Sequence, residues 1–298
     1  MIKTIIIRAL LLPLAILLYC ASVLGHAATD SVTSTNAQET GELKIATVTP
    51  IAHGLSTGLL RHTGIQTDFL PPQRLPINRI ESWLRKNRSR KFDRYDALVS
   101  ISDAVPALNF SSTLRQSNIR LVTIDIAYAR LPEGERVVIN NPSEYFWLNT
   151  NNLLLMLGVL KRDLGLMWPE HRERINHNYQ NMSAELRKVN LKIENLLFDN
   201  DIAVLVFDKA VLEPLAGSLS MDVTSRQDAQ AVGLPALFVG SRRPRQRPGS
   251  NSAPQTPSQA PSQSPVPRWV SDDLSRFDDQ TVVARLQANL QSLREVLK

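Results

Sequence analysis

PEHRERINHNYQNMSAELRKVNLKIENLLF, residues 169–198, places apolar side chains at Ile175, Met182, Leu186, Val189, Ile193 and Leu196 or Leu197. Steps of three, four and seven residues put them on one face of a helix. Pro169 suits the first turn, where its missing N–H has no helical partner to lose. Unbroken, the helix spans roughly 45 Å at about 1.5 Å per residue, long enough to bridge two lobes.

Both flanks of this helix alternate strands with helices. Before it, LKIATVTPIA (43–52) predicts a buried strand, followed by IQTDFL (65–70), a helix over RIESWLRKN (79–87), and strands over YDALVSI (95–101) and NIRLVTIDI (118–126). The apolar run NNLLLMLGVLKRDLGLMW (151–168) predicts a helix with Asn or Thr as its cap. After it come the strand DIAVLVFD (201–208), the short helix AVLEPLAGSL (210–219), the strand LPALFVG (234–240) and an amphipathic helix in DDQTVVARLQANLQSLREVLK (278–298). Alternation of this kind predicts α/β architecture with mainly parallel sheets, because parallel strands need crossover connections. Ser241 to Arg268 is rich in Pro, Ser, Gln and Arg, cannot build a core, and reads as a disordered surface insertion.

The N-terminus reads as an export signal. Residues 1–27 combine Lys3 and Arg8 with the apolar run Ala9–Leu18 and the small residues Gly25 and Ala27, which predicts cleavage near Ala27. The alternative, a membrane anchor, needs a longer apolar core than one interrupted by Pro13. Cys20 is the only cysteine, so cleavage leaves no disulfide and no thiolate ligand. Bulky Tyr19 before it argues against lipidation, and a soluble periplasmic protein is expected. Losing Lys3 and Arg8 lowers the net charge from +6 to +4, too little to imply a nucleic acid. The basic run RIESWLRKNRSRKFDR (79–94) reads either as a solvated helix face, with Trp83 and Leu84 on its buried side, or as a contact for an anionic partner. Neither Gly-x-Ser-x-Gly, a phosphate-cradling loop nor a nucleophile–base pair occurs at a recognisable spacing, so no enzymatic reaction is implied.

The stretch SEYFWLNTNN (143–152) has the frame of a ligand-bearing loop at a helix entry. Together with the helix after it, Pro169 at the start of the bridging helix, and Asn289 in the terminal ANLQSL, it resembles the metal-binding extracytoplasmic solute-binding proteins of zinc and manganese ABC transporters. The resemblance runs from about Leu43 to Lys298 without the insertion. It implies two small lobes joined by one long rigid helix, with the ligand in the cleft between them. The expected organisation is a signal at 1–27, a polar leader at 28–42, an N-terminal lobe at 43–168, the bridging helix at 169–198, and a C-terminal lobe at 199–298 that carries the insertion at 241–268. The implied partner is an ABC permease subunit in the inner membrane, served by a monomer, and the implied cargo is zinc or manganese.

Carried over residue by residue, the metal site is degenerate. Ile77 stands where the family has its first histidine, after Pro76, and Tyr145 stands at the second, two residues before Trp147. The third and fourth ligands fall on Asp208 and Asp272, with Asp273 beside the latter. His53, just after the first strand, is the best substitute ligand, with a hydrogen-bonded or exposed loop residue as its plainer reading. His62, His171 and His177 do not restore the site. Ile77, Trp147, Asn149 and Asp273 are expected to line the cleft, with Trp147 also in the core and Asn149 in a turn, and Asp208, Asp272 or Asp273 read equally as caps, a role compatible with a place at the mouth of the cleft. Zinc prefers nitrogen and sulfur donors, so two carboxylates and a neutral phenol make a weak or altered site. Two further readings stay open: a metal-free accessory protein on the same scaffold, and a binder of an organic solute or a metal chelate.

Overall fold

The computed structural model of the chain describes residues 42–241 and 267–298. The export signal, nearly all of the polar leader and residues 242–266 of the insertion lie outside the described residues.

Four strands, β1 (Lys44–Thr47), β2 (Gln66–Phe69), β3 (Ala97–Ser100) and β4 (Val122–Asp125), build the first sheet in the order β2-β1-β3-β4. All pairs are parallel, with Ile45 opposite Ala97 and Val99 opposite Ile124. Such a sheet is covered on both faces, and β3 is accordingly buried along its whole length. The apolar run at 43–52 is one element in the sequence but two in the structure. Thr49 caps α1 (Pro50–Leu59) by accepting the Ala52 N–H, and Pro50 opens the helix. His53 therefore belongs to the first turns of a helix rather than to a loop.

The crossovers are α2 (Ile77–Lys86), which buries Ile80 and Leu84, and α3 (Ser111–Leu114). Trp83 packs against Phe92 and Phe110, while Arg79, Arg85 and Lys86 face solvent, so much of the basic run is a solvated helix face. The helix α4 (Thr150–Met167) starts at its cap Asn149, whose Oδ1 accepts the Asn151 N–H at 2.9 Å. A single 3-10 turn, Pro169–His171, then leads into α5 (Arg172–Asp199), 28 residues long. Its predicted stripe is its buried one: Ile175, Met182, Leu186, Val189, Ile193 and Leu197 are all in the core.

The second sheet repeats the topology of the first. It consists of β5 (Val204–Phe207), β6 (Asp222–Val223), β7 (Ala236–Ser241) and β8 (Arg268–Ser271), parallel throughout in the order β6-β5-β7-β8. Residues 210–218 form the short helix expected there, of the 3-10 type, with Pro214 inside it, where no α-helical hydrogen bond could form. Next, α6 (Arg226–Val232) runs from its Ser225 cap to Gly233, which adopts the left-handed conformation of a helix stop. The chain closes with α7 (Val282–Val296). The sequence pattern misses β6, α6 and β8. In addition, Ser241 and Arg268, the end residues of the predicted insertion, are strand residues: Ser241 stands opposite Ser271, and Arg268 opposite Phe238.

Trp269 on β8 is fully buried, and its Nε1–H lies 3.2 Å from the Asn289 carbonyl and 3.0 Å from Ser292 Oγ. It docks α7 onto the second sheet. Trp269→Ala is expected to lower the free energy of unfolding by about 3–5 kcal/mol in urea titration, the cost of the large void it leaves.

Candidate functional site

The strongest polar constellation of the second lobe surrounds Asp272. Arg285 donates from Nε to one carboxylate oxygen and from a terminal nitrogen to the other, both at 2.7 Å. The guanidinium is almost entirely buried, and it also reaches the Arg276 carbonyl at 3.1 Å. Asn289 fixes the backbone of the same residue twice: its Oδ1 accepts the Asp272 N–H at 2.7 Å and its Nδ2 donates to the Asp272 carbonyl at 3.0 Å. One oxygen of Asp272 further accepts the Leu274 N–H at 3.0 Å. Asp272 thus serves as a turn cap and as the anchor of a bidentate ion pair. Arg285 and Asn289 both lie on the buried stripe of α7 with Val282, Leu286, Leu290 and Leu293. An arginine on an apolar stripe is the sequence signal that identifies such a partner.

Asp273, one residue on, connects the lobes. Its side chain caps the turn by accepting from the N–H and hydroxyl of Ser275. Its carbonyl accepts the Trp147 indole N–H at 3.1 Å. Trp147 is buried, as its sequence context predicts, and Tyr145 stacks on it with ring centroids 5.0 Å apart and planes 17° apart. The Tyr145 N–H donates to the Val211 carbonyl of the second lobe at 2.9 Å. Burial, followed by the charge of Asp273, raises the pKa of the Tyr145 phenol, against a smaller opposing effect of Ser275 and Arg276. The phenol is neutral, and its surroundings disfavour the anionic form that a metal would require. Asn149 joins the same seam: a side chain on Gly217 would collide with its amide, so the glycine permits close approach of the 3-10 helix to the start of α4.

Asp208 pairs with Arg268 across β7, rather than capping the helix that follows it. Gly240 lies beneath the pair, and any Cβ there would meet the carboxylate. His53 has both ring nitrogens near hydroxyls, Nδ1 at 3.3 Å from Thr47 and Nε2 at 3.4 Å from Thr57. Its ring packs 5.0 Å from Phe277 and 5.8 Å from Phe69. Burial lowers its pKa despite the nearby charges of Asp68 and Asp279, so the ring is neutral.

Ile77 and Tyr145, the two positions that resemble lost histidines, line one cavity of about 310 Å³. Ile101, Val105, Leu108 and Trp147 complete its apolar wall, and Val211 closes it from the second lobe. Asp208, Asp272 and His53 do not line it. Among the described residues no three His, Cys, Asp or Glu side chains come together as a metal-holding group. Residues 242–266 contain none of these residue types, so the insertion cannot supply them. The donor set does not fit a coordinated zinc or manganese ion: two carboxylates carry guanidinium partners, the phenol is neutral, and the imidazole sits among hydroxyls and aromatic rings.

Two expectations follow from these contacts. Arg285→Ala leaves Asp272 with an uncompensated charge in a largely enclosed turn, and a loss of about 2–4 kcal/mol in urea unfolding is expected, with Arg285→Lys recovering only part because it cannot bind both oxygens. For His53, the fold favours the neutral ring, so its contribution is complete above the unfolded value near 6.5. That stability declines as the pH falls below about 6.5 and is lost through the lower folded value. A His53→Gln variant should show a flatter melting temperature between about pH 7 and pH 5 than the parent protein.

No protein-family model and no curated protein sequence matches the chain. Solved structures do. The metal-dependent lipoprotein YcdH of Bacillus subtilis superimposes with a TM-score of 0.61 at 11% identity, covering 85% of this chain and 98% of its own. The SBP FpvC of Pseudomonas aeruginosa in complex with Mn2+ gives 0.54 at 13% identity, over 86% of this chain and 97% of its own. The Zn(II)-bound AdcAII H205L variant of Streptococcus pneumoniae gives 0.52 at 14% identity, over 87% and 100%. Across 42–241 and 267–298, the chain therefore has the two-lobed fold of these metal-binding proteins.

Proposed function

We propose that this chain is an exported solute-binding protein of the ABC-uptake type whose interlobe pocket takes a small, largely apolar organic solute in place of a coordinated metal ion. The observation that carries this reading is the 310 Å³ cavity in which Ile77 and Tyr145 stand among Ile101, Val105, Leu108, Trp147 and Val211. Its size lies at the lower end of the range of small-molecule sites, and its wall is mostly hydrocarbon. The single carboxylate in its lining, Glu81, is paired with Arg85 at 2.9 Å, so a bare cation entering it would give up hydration for one oxygen group that already has a cationic partner. An apolar solute would bury surface at roughly 25 cal/mol per Å².

The zinc or manganese reading retains Asp208, Asp272, Tyr145 and His53 as ligands. It requires the Arg268 and Arg285 pairs to open, and the second of these is buried and bidentate. The role is one of binding rather than catalysis, and the implied partner is a permease that distinguishes the loaded form from the empty one. Such discrimination needs differential contact between the two states. The strap around Tyr145 and Val211 supplies it, since a solute in the cavity touches both.

Calorimetric titration of the metal-stripped protein decides between the readings. Indole, as a probe of an apolar cavity, is expected to bind saturably, and Val105→Trp, which fills the cavity, is expected to abolish the heat. Zinc and manganese are expected to give no submicromolar binding. Submicromolar zinc affinity that disappears in an Asp208→Ala, Asp272→Ala double variant would overturn the proposal in favour of metal capture.

A further inference from the structure

A second cavity, about 380 Å³, lies at the C-terminal end of α1 and, beside apolar contributions from Met182 and Val283, is lined by several basic side chains. Arg61 and His62 enter it from the turn after α1, and Arg174, His177 and Asn181 from α5, while the first residues of α7 form its far wall. Glu185 is the single acid among the lining residues, and it is already engaged by Lys188 and Gln287, each at 3.2 Å. Among the described residues, no ion pair involves Arg61 or Arg174.

The backbone that carries Arg61 and His62 is held in place from below. The side-chain amide of Asn178, only 9% exposed, donates to the carbonyls of Leu59 and Arg61, both at 2.8 Å, and so clamps the turn onto α5. His62 occupies the left-handed region at φ 63°, a conformation that few side chains other than glycine adopt. His177 is oriented by Asn181, with Nε2 3.0 Å from the amide nitrogen. Two guanidinium groups and two imidazoles are thus gathered around one opening whose single carboxylate, Glu185, is already hydrogen-bonded to Lys188 and Gln287. Such a cluster repels itself when empty and is relieved by an anion. Guanidinium groups match the oxygens of a phosphate in number and angle.

We propose that this cavity binds a polyvalent oxyanion of the phosphate type. Because α1 belongs to the first lobe, α7 to the second, and α5 runs through both, the bound anion fastens the three helices together. The site is separate from the apolar pocket and does not depend on what that pocket holds.

Inorganic pyrophosphate is the probe. At matched ionic strength, it is expected to raise the melting temperature of the full mature chain saturably above the value in sodium chloride, with a corresponding calorimetric isotherm. An Arg61→Ala, Arg174→Ala double variant should bind about tenfold more weakly or worse. Both arginines are exposed, so the variant should melt in chloride at or above the parent temperature once the mutual repulsion is removed. Vesicles of phosphatidylglycerol, compared with phosphatidylcholine alone, separate the sources: arginine-dependent vesicle binding without a pyrophosphate isotherm assigns the phosphate to a lipid headgroup. A pyrophosphate effect no larger than that of chloride, together with no arginine-dependent vesicle binding, overturns the proposal. So does a pyrophosphate effect that the double variant retains.

Discussion

A guanidinium enclosed by protein and aimed at both oxygens of one carboxylate is the contact from which the central seam of the molecule is built. Arg285 holds Asp272, and Asn289 holds the backbone on either side of it. This fixes the turn in which Asp273 presents its carbonyl to the Trp147 indole, and Trp147 in turn supports the ring of Tyr145. Pairing a buried charge is costly in desolvation and repays that cost only when the geometry is complete. Here it is complete, with every oxygen of Asp272 hydrogen-bonded. A metal at this position would have to compete with an internal cation that is already in place and pays no entropy of association.

Much of the architecture is legible in the amino-acid pattern because it follows from local rules. The stripe from Ile175 to Leu197 gives α5, and the β-branched and aliphatic runs give β1, β3, β5 and β7. Errors cluster where local signals are short or overlap. The Thr49–Pro50 pair is a helix start, but the apolar run continues across it, so strand and helix merge in the pattern. The two residues of β6 are exposed, and nothing in their composition marks them. For α6, the Ser225 cap and Gly233 stop are readable signals around too short a periodic segment.

The site was legible in a different measure. Asn149 as a turn residue at a helix start and Trp147 as a core residue follow from their immediate neighbours. What Asp208 and Asp272 do depends on partners 60 and 13 positions away, and only the folded chain brings Arg268 and Arg285 to them. The wall of the apolar pocket likewise combines Ile77, Val105 and Leu108 with Val211, more than a hundred residues further along. No periodicity links such positions.

The twin sheets share one continuous connector, and that has a mechanical consequence. With 28 residues in a single helix and neither Gly nor Pro within it, α5 offers no point at which the chain could bend sharply. A hinge within the connector itself is therefore disfavoured. What relative movement the lobes have must come from the loops that join them elsewhere, among them the segment from Pro142 to Tyr145, which is tied to the second lobe by the backbone hydrogen bond from Tyr145 to Val211. The stiff part of the molecule is thus its longest helix, and its compliance is left to short segments held by single hydrogen bonds.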